Sequence, residues 1–242
     1  KKYMFEGASF EQAKVAADPL SAQTHILYNP ASGYGNFVMP GIILVIIQQT
    51  LLIGIGVLGG SFSESKASPF LLPLAQRRAE VLPYLTGKIG AYMLLSFLNV
   101  CFGVFCVHHW FNYPDNASFV HVLMLLFPYV LAVVALGVGL STLFRHRESA
   151  IVFMVFLSPI ALFLSGLSWP ASAIPEALVW VSRLLPSTQV IPAYMRLRTM
   201  GVGMSAISHD VLILYLQAGI YVALTLLYFY IRIARDRKKA SE

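Results

Sequence analysis

Five stretches of this chain are apolar almost without interruption, covering about residues 38–60, 84–107, 120–144, 149–167 and 211–234. Each is long enough to cross ~30 Å of hydrocarbon at ~1.5 Å per helical residue. Proline is tolerated near the ends of such helices or as a kink, which accommodates Pro40, Pro128 and Pro159. The pattern predicts an all-α fold, a polytopic transmembrane helix bundle with five spans in this fragment. An odd number of crossings puts the two termini on opposite sides.

The segments between the spans differ in character. Residues 108–119 are polar and aromatic and carry no Lys or Arg, as a short external loop with Trp110 and Tyr113 in the interfacial belt would. Residues 168–210 are long and proline-rich and contain an amphipathic stretch at 176–185, which predicts short helices at or dipping into the outer interface. Ser165, Gly166, Trp169 and Pro170 break the preceding span and open this re-entrant segment. Residues 1–37 form the C-terminal end of an extracytoplasmic domain, residues 38–235 the transmembrane domain, and residues 236–242 a cytoplasmic tail.

Composition rules out a water-soluble surface: 57% of residues are hydrophobic and 12% charged, with a mean hydropathy of +0.71. A net charge of +6 would suggest nucleic acid in a soluble protein. Here the basic residues lie mainly in the short segments between apolar stretches, which reads as membrane orientation, with no nucleic-acid partner expected. Lys66, Arg77, Arg78, Lys88, Arg145, Arg147, Arg232, Arg235, Arg237, Lys238 and Lys239 fall on one side. Only Lys1, Lys2, Lys14, Arg183, Arg196 and Arg198 fall on the other, so the first side is cytoplasmic. Residues 1–37 are then external yet carry neither signal peptide nor initiator Met, which predicts an upstream transmembrane helix, making six in the full-length chain.

Candidate chemistry is sparse. No G-x-x-x-x-G-K-[ST] occurs, the one Gly-Lys pair being Gly87-Lys88 followed by Ile89, so this chain binds no ATP through a P-loop of its own. H-E-x-x-H, G-x-S-x-G and paired Cys-x-x-Cys are absent as well. Cys101 and Cys106 lie in one apolar stretch and point in different directions on a helix. His108 and His109, with Asp115 and His121 nearby, match no standard ligand spacing and read as a solvated loop, with no metal site expected. Gln48, Gln49 and Thr50 in the first span and Asn99 in the second are candidates to line a transport pathway or to bond across a helix interface. Gly56 and Gly60 form a G-x-x-x-G pair, a pattern of close helix packing.

The cytoplasmic loop 61–83 mixes apolar Leu72, Pro73 and Leu74 with Glu64, Arg77, Arg78 and Glu80. Such a surface suits docking on another protein, and equally an interfacial helix on anionic lipid. Further on stand Leu136-Gly137-Val138-Gly139-Leu140-Ser141-Thr142, Glu148-Ser149-Ala150, Pro159 and Leu164-Ser165-Gly166-Leu167-Ser168-Trp169-Pro170. Ile174-Pro175, Pro186-Ser187-Thr188, Arg196 and Gly201 follow in order. This set resembles the C-terminal signature of ABC-2 type permeases. Tyr28-Asn29-Pro30 with Phe37-Val38-Met39-Pro40-Gly41 is similar to that family's approach to its second helix, and 72–88 to its cytoplasmic coupling loop. Ser63-Glu64-Ser65-Lys66 departs from the glutamate-rich start that this loop has in other members.

The resemblance implies a permease subunit of an ATP-driven exporter in a bacterial inner membrane, moving a hydrophobic, amphipathic or polymeric substrate outward. It implies six helices, a second permease subunit and two ABC ATPase subunits, with ATP and Mg on the ATPase and no cofactor on this chain. The alternative class is a non-ABC membrane scaffold or secondary transporter, which would require ionisable residues at the span centres, where this chain has none. A membrane enzyme would have only the His108–His109 region to work with.

Overall fold

The computed structural model describes residues 34–64, 81–113, 115–167 and 174–241, all within one unit spanning Gly33–Glu242. Among the described residues every regular element is a helix. The first, α1 (Tyr34–Glu64), is followed by α2 (Val81–Cys101), which runs through a π turn at Phe102–Cys106 into α3 (Val107–Phe111). Next come α4 (Phe119–Ser141) and α5 (Arg147–Leu164), the short helices α6 (Glu176–Ser182) and α7 (Pro186–Arg198), and a 3-10 turn (Met204–Ile207) leading into α8 (Ser208–Ser241). Five helical stretches are long and apolar enough to cross a membrane: Val38–Glu64, Val81–Phe111, Phe119–Ser141, Arg147–Leu164 and Met204–Ile231. They coincide with the five apolar stretches of the sequence to within a few residues at most ends.

One boundary corrects the sequence reading of a segment between spans. The helix begun at Val81 continues to Phe111, so His108, His109 and Trp110 are helical and not part of a solvated loop. His108 is only 4% exposed. Its ring is held edge-on between those of Tyr113 and Tyr194, a tertiary contact that extends the helix by a turn beyond its apolar run. Asn112, with φ of 49°, then ends it in the left-handed conformation that Asn tolerates better than most residues.

The most buried helix is α4, which packs against α1, α2, α7 and α8. Its Leu125, Leu126, Tyr129, Val130, Val133, Val134 and Val138 are fully enclosed, as befits a helix apolar on all sides. On α2, Leu94, Leu95 and Leu98 point outward instead, the arrangement expected of a span whose other face meets lipid. Glycine draws α1 and α5 together. A Cβ on Gly60 would stand 2.6 Å from the backbone nitrogen of Arg147, and one on Gly56 3.4 Å from the Cβ of Ala150. The G-x-x-x-G pair is therefore a close seam between two helices.

Candidate functional site

Helix N-termini leave backbone N–H groups without intrahelical partners, and in hydrocarbon each must be met by something else. Neither α5 nor α7 has a capping side chain of its own. For both, α1 supplies it. At its C-terminal end, Glu64 Oε1 accepts the N–H of Arg147 at 2.8 Å, and the same carboxylate lies 3.6–3.7 Å from His146 and Arg147 side-chain nitrogens. A carboxylate there also complements the positive end of the α5 dipole.

At the midpoint of α1, Gln48 does the same for α7. Its Oε1 accepts the N–H of Ser187 at 2.9 Å, and its Nε2 donates to Ser187 Oγ at 3.1 Å. The turn at 185–187 therefore sits beside the middle of α1. Residues 176–198 form a hairpin of two short helices joined by this turn. Its exposed backbone is satisfied throughout the turn. Gln217 Nε2 donates to the carbonyl of Arg183 at 2.6 Å, Tyr221 OH to that of Leu184, and Thr188 Oγ1 to those of Ser182 and Leu185. Irregular backbone at this depth needs such partners. Only α7 is more enclosed than an interfacial segment, with Ser187, Val190, Ile191, Ala193, Tyr194 and Leu197 buried, whereas Leu178, Trp180 and Val181 of α6 stay exposed.

The C-terminal end of α7 is clipped as firmly. Arg198, counted by sequence as an external charge, is 2% exposed. Its Nη2 donates to Asp115 Oδ2 at 2.6 Å and its Nη1 to Tyr194 OH at 2.8 Å. The guanidinium carbon lies 5.3 Å from the centre of the Phe105 ring and 5.7 Å from that of Tyr194. An arginine can be buried here because a carboxylate, a hydroxyl and two aromatic faces replace its water. Burial pushes the Tyr194 phenol well above the usual tyrosine range, with the Arg198 charge pulling partly back. The neutral phenol reaches the His108 ring nitrogens at 3.4–3.5 Å. Asn116 joins in, its N–H donating to the Arg198 carbonyl and its Nδ2 to that of Thr199, both at 2.9 Å. Arg196 binds Asp210 at the start of α8 at 2.7 Å.

The sequence candidates thus separate. Gln48 makes an inter-helix clamp; Gln49 is buried beside it with neither amide atom partnered; Thr50 donates to its own helix at Ile46; and Asn99 faces outward on α2. These four do not converge on one site. Leu72, Pro73, Leu74, Arg77, Arg78 and Glu80 lie outside the described residues, as do Trp169 and Pro170. Helix α5 stops at Leu164, where Ser165 Oγ donates back to the Leu162 carbonyl and Gly166 adopts φ of 78°. Among the described residues no three His, Cys, Asp or Glu side chains are placed to hold a metal. Sequence reasoning named Ser187 only as part of the family signature and missed Tyr194, Gln217 and Tyr221, which look like ordinary residues of their helices. The available signal was that Gln217 is a further glutamine within a span, as costly in lipid as Gln48.

Comparison with known proteins adds two findings. The profile of a family described as "ABC-2 family transporter protein" matches residues 3–227. A protein of Dictyostelium discoideum, "ABC transporter G family member 20", is 24% identical over 201 residues, covering 83% of this chain and 27% of the relative. The chain thus spans about a quarter of that relative's length. No solved structure matches.

Proposed function

The chain belongs to the ABC-2 family of transporter proteins, and on that premise we propose that it is the permease subunit of an ATP-driven exporter. The observation that carries this reading is the family match over nearly the whole chain, together with five helices able to cross a membrane and no P-loop in the sequence. ATP and its Mg ion belong to a partner ATPase, and a second permease subunit completes the membrane unit. The cargo is hydrophobic, amphipathic or polymeric. The positive-inside rule puts loop 61–83 and the turn between α4 and α5 on the ATPase side.

The mechanism follows from what α1 holds. The ATPase docks on loop 61–83 and pushes the inner end of α1. Because Glu64 caps α5 and Gln48 caps α7, a shift of α1 must either carry both helices or break these bonds, and the Gln48–Ser187 pair is buried where no water would replace it. Since α7 is locked to the external loop through Arg198, movement begun inside reaches the outer face through bonded elements. A secondary transporter would instead need ionisable groups at the centres of its spans. Glu64, Glu148 and Asp210 sit at helix ends, and Lys88 lies in the first third of the span Val81–Phe111, away from its centre.

The test reverses two charges in the loop. Arg77→Glu with Arg78→Glu imposes like-charge repulsion or removes attraction at the docking face without touching a span. The double variant reaches the membrane in normal amount, and the assembled complex loses substrate-stimulated ATPase activity. Normal co-purification with the ATPase together with normal transport would refute the docking role and make these arginines lipid anchors.

A further inference from the structure

A cavity of about 290 Å³ runs between α4 and α8 on a side of the bundle that no described element covers. Its floor is Gly139, Tyr221 and Thr225; its rims are Leu143 and Leu224, 64% and 58% exposed; Leu184, 60% exposed, stands at one end. At the floor Gly139 lets α4 and α8 approach closely, since a Cβ there would lie 2.8 Å from Thr225 Oγ1. Four hydroxyls stand along the groove, and each is already spent as a donor on a backbone carbonyl: Thr142 on Gly139, Thr225 on Tyr221, Tyr221 on Leu184 and Tyr228 on Thr142. The wall offers no free donor and is otherwise apolar, so it suits hydrocarbon.

The dimensions narrow the occupant. From Ala135 to the end of α4 at Ser141 the helix rises ~9 Å, more than half of the ~15 Å hydrocarbon depth of a single leaflet. A partner helix, ~10 Å across with its side chains, is too thick to enter a cavity of this volume. The open end leads to charge. Arg145 is exposed two residues beyond Leu143, and α8 continues past Tyr228 into a stretch that the sequence fills with Arg232, Arg235, Arg237, Lys238 and Lys239.

We propose that this groove binds one acyl chain of an anionic glycerophospholipid, its tail ending near Leu184 and its headgroup at Arg145. The proposal rests on the membrane reading of the chain but not on transport or on an ATPase, so it can be tested on the permease alone. One interfacial arginine is worth about a fivefold preference for anionic lipid.

The experiment reconstitutes the full-length chain, with Trp110, Trp169 and Trp180 replaced by Phe, in phosphatidylcholine vesicles containing phosphatidylglycerol. Either lipid carries bromine near its chain end. A reporter at Leu184→Trp should be quenched about fivefold more effectively by brominated phosphatidylglycerol than its share of the bilayer predicts, and Arg145→Gln should abolish that preference. A control at Leu98→Trp, on the outward face of α2, should show none. Equal preference at the two positions would mean ordinary annular lipid and overturn the proposal. So would disulfide cross-linking of Leu224→Cys between two copies, which would make the groove an interface. Without any tryptophan replacement, native mass spectrometry of the unaltered chain should show retained phosphatidylglycerol that Arg145→Gln releases. Equal retention by both proteins would also refute it.

Discussion

Gln48 and Ser187 form a contact whose two halves are unequal, and the inequality can be measured. Gln48→Leu leaves the Ser187 N–H without its acceptor at mid-depth, where no water replaces it, a loss of roughly 1–3 kcal/mol for a buried donor. Ser187→Ala keeps that N–H bond and deprives only the Gln48 Nε2. Thermal unfolding in detergent should therefore show a larger drop for Gln48→Leu. Hydrogen exchange should rise at the start of α7 in that variant alone. Equal losses for the two variants would mean the backbone cap is not what the glutamine provides. The sequence marked Gln48 as unusual because an amide in a span needs a partner, but it left open whether that partner was cargo, another span or a loop.

Among the elements, the seam between α1 and α5 carries the sharpest contrast. Gly54 and Gly60 lie on the same helix, yet a Cβ on Gly54 would meet nothing within 4 Å, while one on Gly60 would press into the backbone of Arg147. Gly54→Ala should leave stability unchanged or raise it by up to ~1 kcal/mol, the helix-propensity difference. Gly60→Ala must part the helices just where Glu64 caps α5, and overpacking of this kind costs roughly 1–3 kcal/mol. Melting temperatures of the purified chain check the order. A Gly60→Ala protein as stable as the parent would show that the seam yields freely. The spans themselves were legible because lipid demands long apolar helices. The extra turn at Val107–Phe111 was not, because His108 reads as polar until Tyr194 and Tyr113 are seen beside it.

For the whole molecule, orientation is the property that the charge pattern predicts and labelling can decide. In a chain whose Cys101 and Cys106 are replaced by Ala, single cysteines at Asn116 and Met200, both exposed, should react with an impermeant maleimide in intact cells. Cysteines at Arg145 and Lys239 should react only after permeabilisation. External labelling at Arg145 would invert the topology and move the proposed ATPase face with it. Ser187 is unsuitable as an outer reporter despite its place in an external segment, because the hairpin carries it, fully buried, to the middle of α1.

Hydropathy along the sequence determined the class, the number of long helices in this sequence and their rough limits, since the solvent acts on each apolar stretch separately and needs no knowledge of its neighbours. It also determined that Gln48 must have a partner, and that Ser165 and Gly166 end a helix. Only the tertiary structure decided who the partners are. Glu64 to Arg147 spans 83 positions, Gln48 to Ser187 139, and Asp115 to Arg198 83. Hydrogen bonds and ion pairs act over about 3 Å between atoms whose chain separation is arbitrary. A residue's type therefore states what it needs, and only the packing of helices brings the group that meets the need.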